Sequence, residues 1–263
     1  MTLRLKDFTI LEQVVLALSL IFIGLLLIDP FMLERSSALP PEARKFFRTV
    51  TDVGRSNWML IPTGAAIALA LVLRQRHVGF RNSAAYGLIA STIGFVFVSV
   101  GGAGLIANLA KNIIGRARPK LFETMGPLEF KLFAFDPDYA SLPSGHATNI
   151  FALATVIAIL WPRGRVLLYS LAAWIAASRV LIGQHYVTDV VLGAILGIAF
   201  PYFVRERFAA RRWLFERTPE GGYRIRGART QRWLGWPQPE RPASEGARLF
   251  GNSSGNSQET GRD

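Results

Sequence analysis

Six apolar runs constrain this chain more than any other feature. A helix needs about 20 predominantly apolar residues to cross a bilayer. The runs are Ile10–Ile28, Trp58–Leu73, Ala84–Ala110, Ala147–Trp161, Val166–Ile182 and Val187–Val204. The first is closed by Asp29-Pro30, the second carries Pro62 near its start, and the fourth is short unless its entry turn is included. Period-two alternation is absent, so strands are not expected. A soluble bundle of buried helices would need polar faces to cover these runs. The composition does not supply them: 51% of residues are hydrophobic and 18% charged, against about 25% charged in soluble domains. The first run could also be read as a cleaved signal peptide, with Arg4 and Lys6 ahead of it and Ser36-Ser37-Ala38 after it. Its length, and the DPFML segment before that small-residue site, favour a retained span.

Basic residues beside the spans set the expected orientation. With the N-terminus inside, the short inner segments hold eleven basic residues, among them Arg74, Arg76, Arg163, Arg165, Arg205, Arg207, Arg211 and Arg212, opposed only by Asp7 and Glu206. The longer outer loops, 29–57 and 111–146, hold ten basic and eight acidic residues. Both termini are therefore expected in the cytoplasm. The net charge of +12 sits beside span ends and not in one stripe, which argues against a nucleic-acid partner. Cysteine is absent, which excludes disulfides, thiolate metal sites and a Cys nucleophile. Residues 34–57, with Phe46 and Phe47 among charges after Pro40-Pro41, read as an interfacial amphipathic helix. Residues 205–263 read as a basic tail whose first part, with Trp213, Trp233 and Trp236 in the region, lies on anionic lipid. Its end, GNSSGNSQETGRD, reads as disordered.

The polar residues at the outer span ends fall into three clusters. In Lys111-Asn-Ile-Ile-Gly-Arg-Ala-Arg118-Pro119, Lys111 and Arg118 are seven apart, two helical turns, and so would share a face. Pro119 puts Arg118 at a helix end. Two such cations suit an anion, although Lys and Arg are ordinary at interfaces. Pro143-Ser144-Gly145-His146 opens the fourth run and has the residues of a helix N-terminus, which attracts phosphate. His146 there suits an acid or base. In Ser178-Arg179-x5-His185-x3-Asp189 the last two are i and i+4 on one helix. Asp189 could hold one imidazole nitrogen as N–H and leave the other free to attack. The plainer reading is a structural Asp–His tie between the fifth and sixth spans. Asp136 and Asp138 flank a proline and read as a solvated loop rather than a cation site. His77, in a basic inner loop, is not expected to take part.

Together the three clusters resemble the signature of the type 2 phosphatidic acid phosphatase family, which also contains vanadium-dependent haloperoxidases. All eleven specified positions match, in order, and the likeness extends over residues 10–204. The resemblance implies that His185 attacks phosphorus to form a phosphohistidine and that Asp189 orients it. It implies that His146 protonates the leaving oxygen and then activates water. It also implies that Lys111, Arg118 and Arg179, aided by Ser144 and the Gly145 amide, bind the phosphoryl oxygens. Two Arg and one Lys supply the charge that phosphoryl transfer requires, so no metal or other cofactor is expected.

The expected protein is thus all-α: a six-transmembrane-helix bundle over 1–204 with an interfacial amphipathic helix after the first span, followed by a 205–263 cytoplasmic tail. It would be a hydrolase of membrane lipid phosphates in a bacterial inner membrane, its site facing the periplasm. Undecaprenyl pyrophosphate, phosphatidylglycerophosphate, phosphatidic acid and lipid A 1-phosphate all suit a cationic interfacial pocket. The segment FFRTVTDVGRSNW resembles bacterial lipid A and phosphatidylglycerol-phosphate phosphatases. The loop 120–142 could cover the site. Arg116 and Lys120 could meet a second phosphate or snorkel to the interface. A non-catalytic lipid-phosphate flippase and a haloperoxidase are the competing classes. Oligomeric state is left open.

Overall fold

The computed structural model describes residues 10–76, 80–219 and 221–226. The expectations for Arg4, Lys6, Asp7, His77, Trp233, Trp236 and the terminal GNSSGNSQETGRD lie outside the described residues. The helices are α1 (Ile10–Ile23), α2 (Asp29–Ser37), α3 (Pro41–Asp52), α4 (Asn57–Arg76), α5 (Phe80–Ile114), α6 (Phe122–Met125), α7 (Gly145–Leu160), α8 (Arg165–Leu181) and α9 (Val187–Ala210). Strands β1 (Phe215–Arg217) and β2 (Tyr223–Ile225) complete the described chain. Among the described residues, five helical stretches are long and apolar enough to cross a membrane, and α7 is a shorter apolar helix.

The first run does not close at Asp29-Pro30. A π turn over Gly24–Ile28 joins α1 directly to α2. Proline lacks an amide and its ring meets the carbonyl four residues back. The widened turn just before it lets the helix continue to Ser37, with Pro30 in the first turn of α2.

The centre of the bundle is α7, which packs against α5, α8 and α9. Its Ala147, Ile150, Ala152, Ala154 and Val156 are buried with Val100, Ala103, Ala172 and Ala176. The small residues let backbones approach closely, which is how helices associate where lipid removes the hydrophobic contrast. The closest approach is between α7 and α9. A Cβ on Gly193 would lie 2.5 Å from the Ser144 carbonyl oxygen, and one on Gly197 would lie 2.4 Å from that of Thr148. Helix α7 is short because it need not face lipid along its whole length. Ser141, Leu142 and Ser144 are buried ahead of it and extend the wall. Large apolar side chains point outward from the other helices, including Leu27, Ile61, Leu105, Val166 and Ile195, as a bilayer-facing surface requires.

Helix α3 is the amphipathic segment, but it does more than lie on a surface. It packs on α8, with the Phe47 and Trp174 rings 5.8 Å apart, and it buries Thr51. Downstream, α9 continues through residue 204 to Ala210. The chain then forms an antiparallel hairpin, pairing Phe215 with Ile225 and Arg217 with Tyr223. This corrects the expectation of no strands. The hairpin sits at the end of α9 away from Asp189. Leu214 and Phe215 are buried with Phe95 and Phe208, and the Phe95 and Phe215 rings meet edge-on at 4.9 Å.

Candidate active site

The three polar clusters come together because four helix ends meet. Lys111 is in the last turn of α5 and Arg179 in the last turn of α8. Ser144 is the N-cap of α7, His146 its second residue, and Asp189 lies in the first turn of α9. His185 lies in the short α8–α9 connection. Lys111, Arg118 and Arg179 interact electrostatically with one another. His146 feels His185, Arg179 and Lys111. Gly145 makes room for the lysine: a Cβ there would stand 3.1 Å from Lys111 Nζ.

Lys111 and Arg118 do not share a helix face. Helix α5 ends at Ile114, and Gly115 turns the chain with φ +61. The backbone then runs extended to Arg118, as a residue before proline prefers. A Cβ on Gly115 would lie 1.6 Å from the Lys131 carbonyl oxygen, so only glycine fits. The turn lets Ala117 and Lys131 exchange backbone hydrogen bonds with Glu129 and Gly115, folding the 120–142 loop back beside the cluster. Arg118 Nε donates to the Pro137 carbonyl at 2.7 Å, and Nη1 reaches the Gln184 carbonyl at 3.3 Å. Within the loop, Asp138 pairs with Lys120, and Asp136 caps the Asp138 amide.

His185 is buried, and its Nδ1 lies 2.8 Å from the Ser141 carbonyl oxygen. A carbonyl only accepts, so Nδ1 carries the proton and Nε2 presents a lone pair. Asp189 Oδ2 is 3.7 Å from Nδ1, beyond hydrogen-bond reach. The direct bond expected between His185 and Asp189 is replaced by the Ser141 carbonyl because the carboxylate is already occupied. Oδ2 accepts from Ser141 Oγ at 2.5 Å and from the Tyr186 amide at 2.9 Å, and Oδ1 accepts from Arg116 at 2.7 Å. Asp189 therefore acts on His185 through its charge and through Ser141. Burial pushes the His185 pKa down to about 4 against the pull of Asp189.

Neither role considered for Arg116 holds. Its side chain is fully buried and ion-paired with both Asp29 and Asp189. The sequence spacing carries no mark of that pairing, since Asp29 is 87 residues away.

Ser144 Oγ and Arg179 Nε are buried without a partner among the described residues. Buried polar atoms are normally satisfied, so both have hydrogen-bonding capacity left for an external group. The Ser144 amide itself donates to the Asp189 carbonyl at 2.9 Å. That leaves the Gly145, His146 and Ala147 amides as the helix-end donors. Sequence reasoning missed the end of α3. Thr51 Oγ1 lies 3.4 Å from Arg179 Nη1. A Cβ on Gly54 would meet His146 Cβ at 3.1 Å, and Asn149 Nδ2 is 3.4 Å from the Gly54 carbonyl oxygen. In the VTDVG pattern, the one acid, Asp52, pairs with Arg55, and neither Thr51 nor Gly54 carries a spacing that would have marked it.

Residues 92–213, which contain every residue of the three clusters, match the PAP2 superfamily. The lipid A 1-phosphatase of Rhizobium johnstonii is 33% identical over 192 residues, covering 71% of this chain and 76% of that protein. The chain belongs to the PAP2 superfamily. It is a membrane phosphatase and a phosphoric monoester hydrolase. The lipid A 1-phosphatase of Rhizobium etli is also 33% identical, over 71% of this chain and 80% of that one. Among solved structures, Aquifex aeolicus LpxE matches with a TM-score of 0.48 at 18% identity, over 68% of this chain and 95% of that one. The PAP2 type phosphatidylglycerolphosphate phosphatase from Bacillus subtilis matches with a TM-score of 0.47 at 19% identity, over 70% and 85%.

Proposed function

We propose that this enzyme removes the anomeric phosphate of a lipid A-type glycolipid through a phosphohistidine on His185. The observation that carries the mechanism is the meeting of His185, His146, Lys111, Arg118 and Arg179 at one end of the bundle. Nε2 of His185 attacks phosphorus as the bond to the sugar oxygen breaks, and His146 gives that oxygen its proton. Water, deprotonated by His146, then cleaves the N–P bond and releases phosphate. Lys111, Arg118 and Arg179, with Ser144 Oγ and the Gly145 amide, take up the charge on the three phosphoryl oxygens. Asp189 favours the cationic imidazole of the intermediate. The two rhizobial relatives support the anomeric phosphate as substrate, since each is matched over three quarters or more of its length.

The site would face the periplasm of an inner membrane. Arg74, Arg76, Arg207, Arg211 and Arg212 lie at helix ends away from it, as the positive-inside rule favours. The tail beyond the hairpin would then be cytoplasmic.

The test is phosphate release from lipid A in detergent micelles with excess chelator, side by side with phosphatidylglycerophosphate, phosphatidic acid and undecaprenyl pyrophosphate. Lipid A should be turned over fastest, activity should survive chelation, and His185→Ala should abolish it. Loss of activity on chelation, or an active His185→Ala, would overturn the mechanism. Preference for another lipid would overturn the substrate. Lipid movement without phosphate release in reconstituted vesicles would favour a carrier.

A further inference from the structure

The first helical run reaches the catalytic loop through a closed ionic cluster. Arg116 offers five N–H donors, and all five have partners. Nε and Nη2 donate to the Pro127 carbonyl at 3.3 and 3.0 Å, and Nη2 also donates to Asp29 Oδ2 at 2.9 Å. Nη1 donates to Thr188 Oγ1 at 2.8 Å and to Asp189 Oδ1 at 2.7 Å. Thr188 closes the ring, giving its hydroxyl to Asp29 Oδ2 at 2.5 Å and its amide to Asp29 Oδ1 at 3.0 Å. The Tyr186 ring covers the guanidinium at 4.0 Å. Asp29, Arg116 and Asp189 are all at most 1% exposed, so neither Asp29 nor Arg116 can touch substrate. The approach is close: a Cβ on Gly24, one turn before Asp29, would lie 2.9 Å from Thr188 Cγ2.

The charges explain why two carboxylates are present. Arg116 alone would cancel Asp189, leaving nothing to favour a cationic imidazole 3.7 Å away. Asp29 neutralises Arg116 in turn, so the cluster keeps one net negative charge while Arg116 still fixes the carboxylate. We propose that Arg116 and Asp29 are positioning residues for the reaction, together holding Asp189 in place and keeping it anionic toward His185. This rests on the reading of His185 as the nucleophile.

The test uses the full chain in detergent with lipid A as substrate, and compares kcat, KM and thermal unfolding. Asp29→Asn can keep one amide oxygen as acceptor for Arg116 Nη2 and the Thr188 hydroxyl, but it removes the second negative charge and the acceptor for the Thr188 amide. It should lower kcat by on the order of ten- to a hundredfold, comparable to losing an outer partner behind a catalytic ligand, with KM changed less than about twofold. The acid limb of kcat/KM should move to lower pH, because one negative charge fewer disfavours protonated His185. The other charges facing His185 are Asp189 on α9, Arg179 on α8, Arg118 in the loop and His146 on α7, and these are unchanged. The double variant Asp29→Leu/Arg116→Met removes the outer pair and leaves Asp189 held by the Ser141 hydroxyl and the Tyr186 amide, at a cost in stability because its cation is gone. The kcat per folded molecule should still fall. Wild-type kcat per folded molecule in either variant, or a loss confined to KM, overturns the proposal. An active His185→Ala variant would instead remove the mechanism beneath it.

Discussion

Ser141 does two jobs at the residue scale, its carbonyl setting the proton position on His185 and its hydroxyl gripping Asp189. That arrangement leaves Nε2 ready at any pH where the ring is neutral. Because burial lowers the His185 pKa from 6.5 to about 4, its ring should stay neutral through mildly acidic pH. Stability depends on the same shift. Below about pH 6.5 the unfolded chain takes up a proton that the folded site refuses until about pH 4. The contribution of His185 is therefore intact above that window and is lost as pH falls through it. Thermal unfolding in detergent as a function of pH checks this: the unfolding temperature should drop between those limits, and His185→Gln should flatten the drop. Gly115 is the second residue on which the site depends. Gly115→Ala forces a Cβ into the Lys131 carbonyl at φ +61. It should cost more than about 2 kcal/mol and lower activity, since Arg116 and Arg118 follow directly. A folded Gly115→Ala variant with wild-type turnover would contradict this.

At the scale of elements, the contact between α7 and α9 holds the His146 helix against the Asp189 helix. Gly193 and Gly197 face carbonyl oxygens of α7 at distances no side chain can occupy. Gly197→Val should push the helices apart, destabilising the protein by on the order of 1–3 kcal/mol and lowering kcat through misalignment of His185 with His146. The same change at Gly94, which has open space around its would-be Cβ, should leave turnover near wild type. Comparing unfolding temperature and kcat for the two variants separates a packing effect from a general effect of valine in a helix. Helix α3 belongs to this scale too. Its amphipathic pattern was legible in the sequence, but its role as a wall beside Arg179 and His146 was not. Thr51 and Gly54 contribute a hydroxyl and an absence of side chain, and neither leaves a chemical signature in a sequence.

For the whole molecule, the site and the hairpin lie toward opposite ends of α9, which makes orientation measurable. The chain has no cysteine, so a single introduced thiol reports cleanly. Thr124→Cys, in α6 of the loop next to the site, should react with a membrane-impermeant maleimide in intact cells. Thr218→Cys, in the hairpin turn, should react only after the membrane is opened. The reverse pattern would invert the proposed topology.

Apolar run length determined the helical, membrane-embedded class, and the spacing of charged and titratable residues determined the candidate site. Both are local: a bilayer demands about 20 apolar residues, and a helix face or a motif is written in a few consecutive positions. Run boundaries were less legible, because the π turn before Pro30 and the left-handed Gly115 let the chain override the expected stop and the expected continuation. The hairpin at 215–225 was missed because three-residue strands are too short to display an alternating pattern. Only the tertiary structure decided the partners of the buried charges. Arg116 has the composition of an interfacial cation, and it becomes the centre of an ionic cluster only when Asp29 and Asp189 reach it from opposite parts of the chain. An ion pair costs nothing to leave open in an extended chain in water. It is compulsory once helix packing removes the water around all three groups.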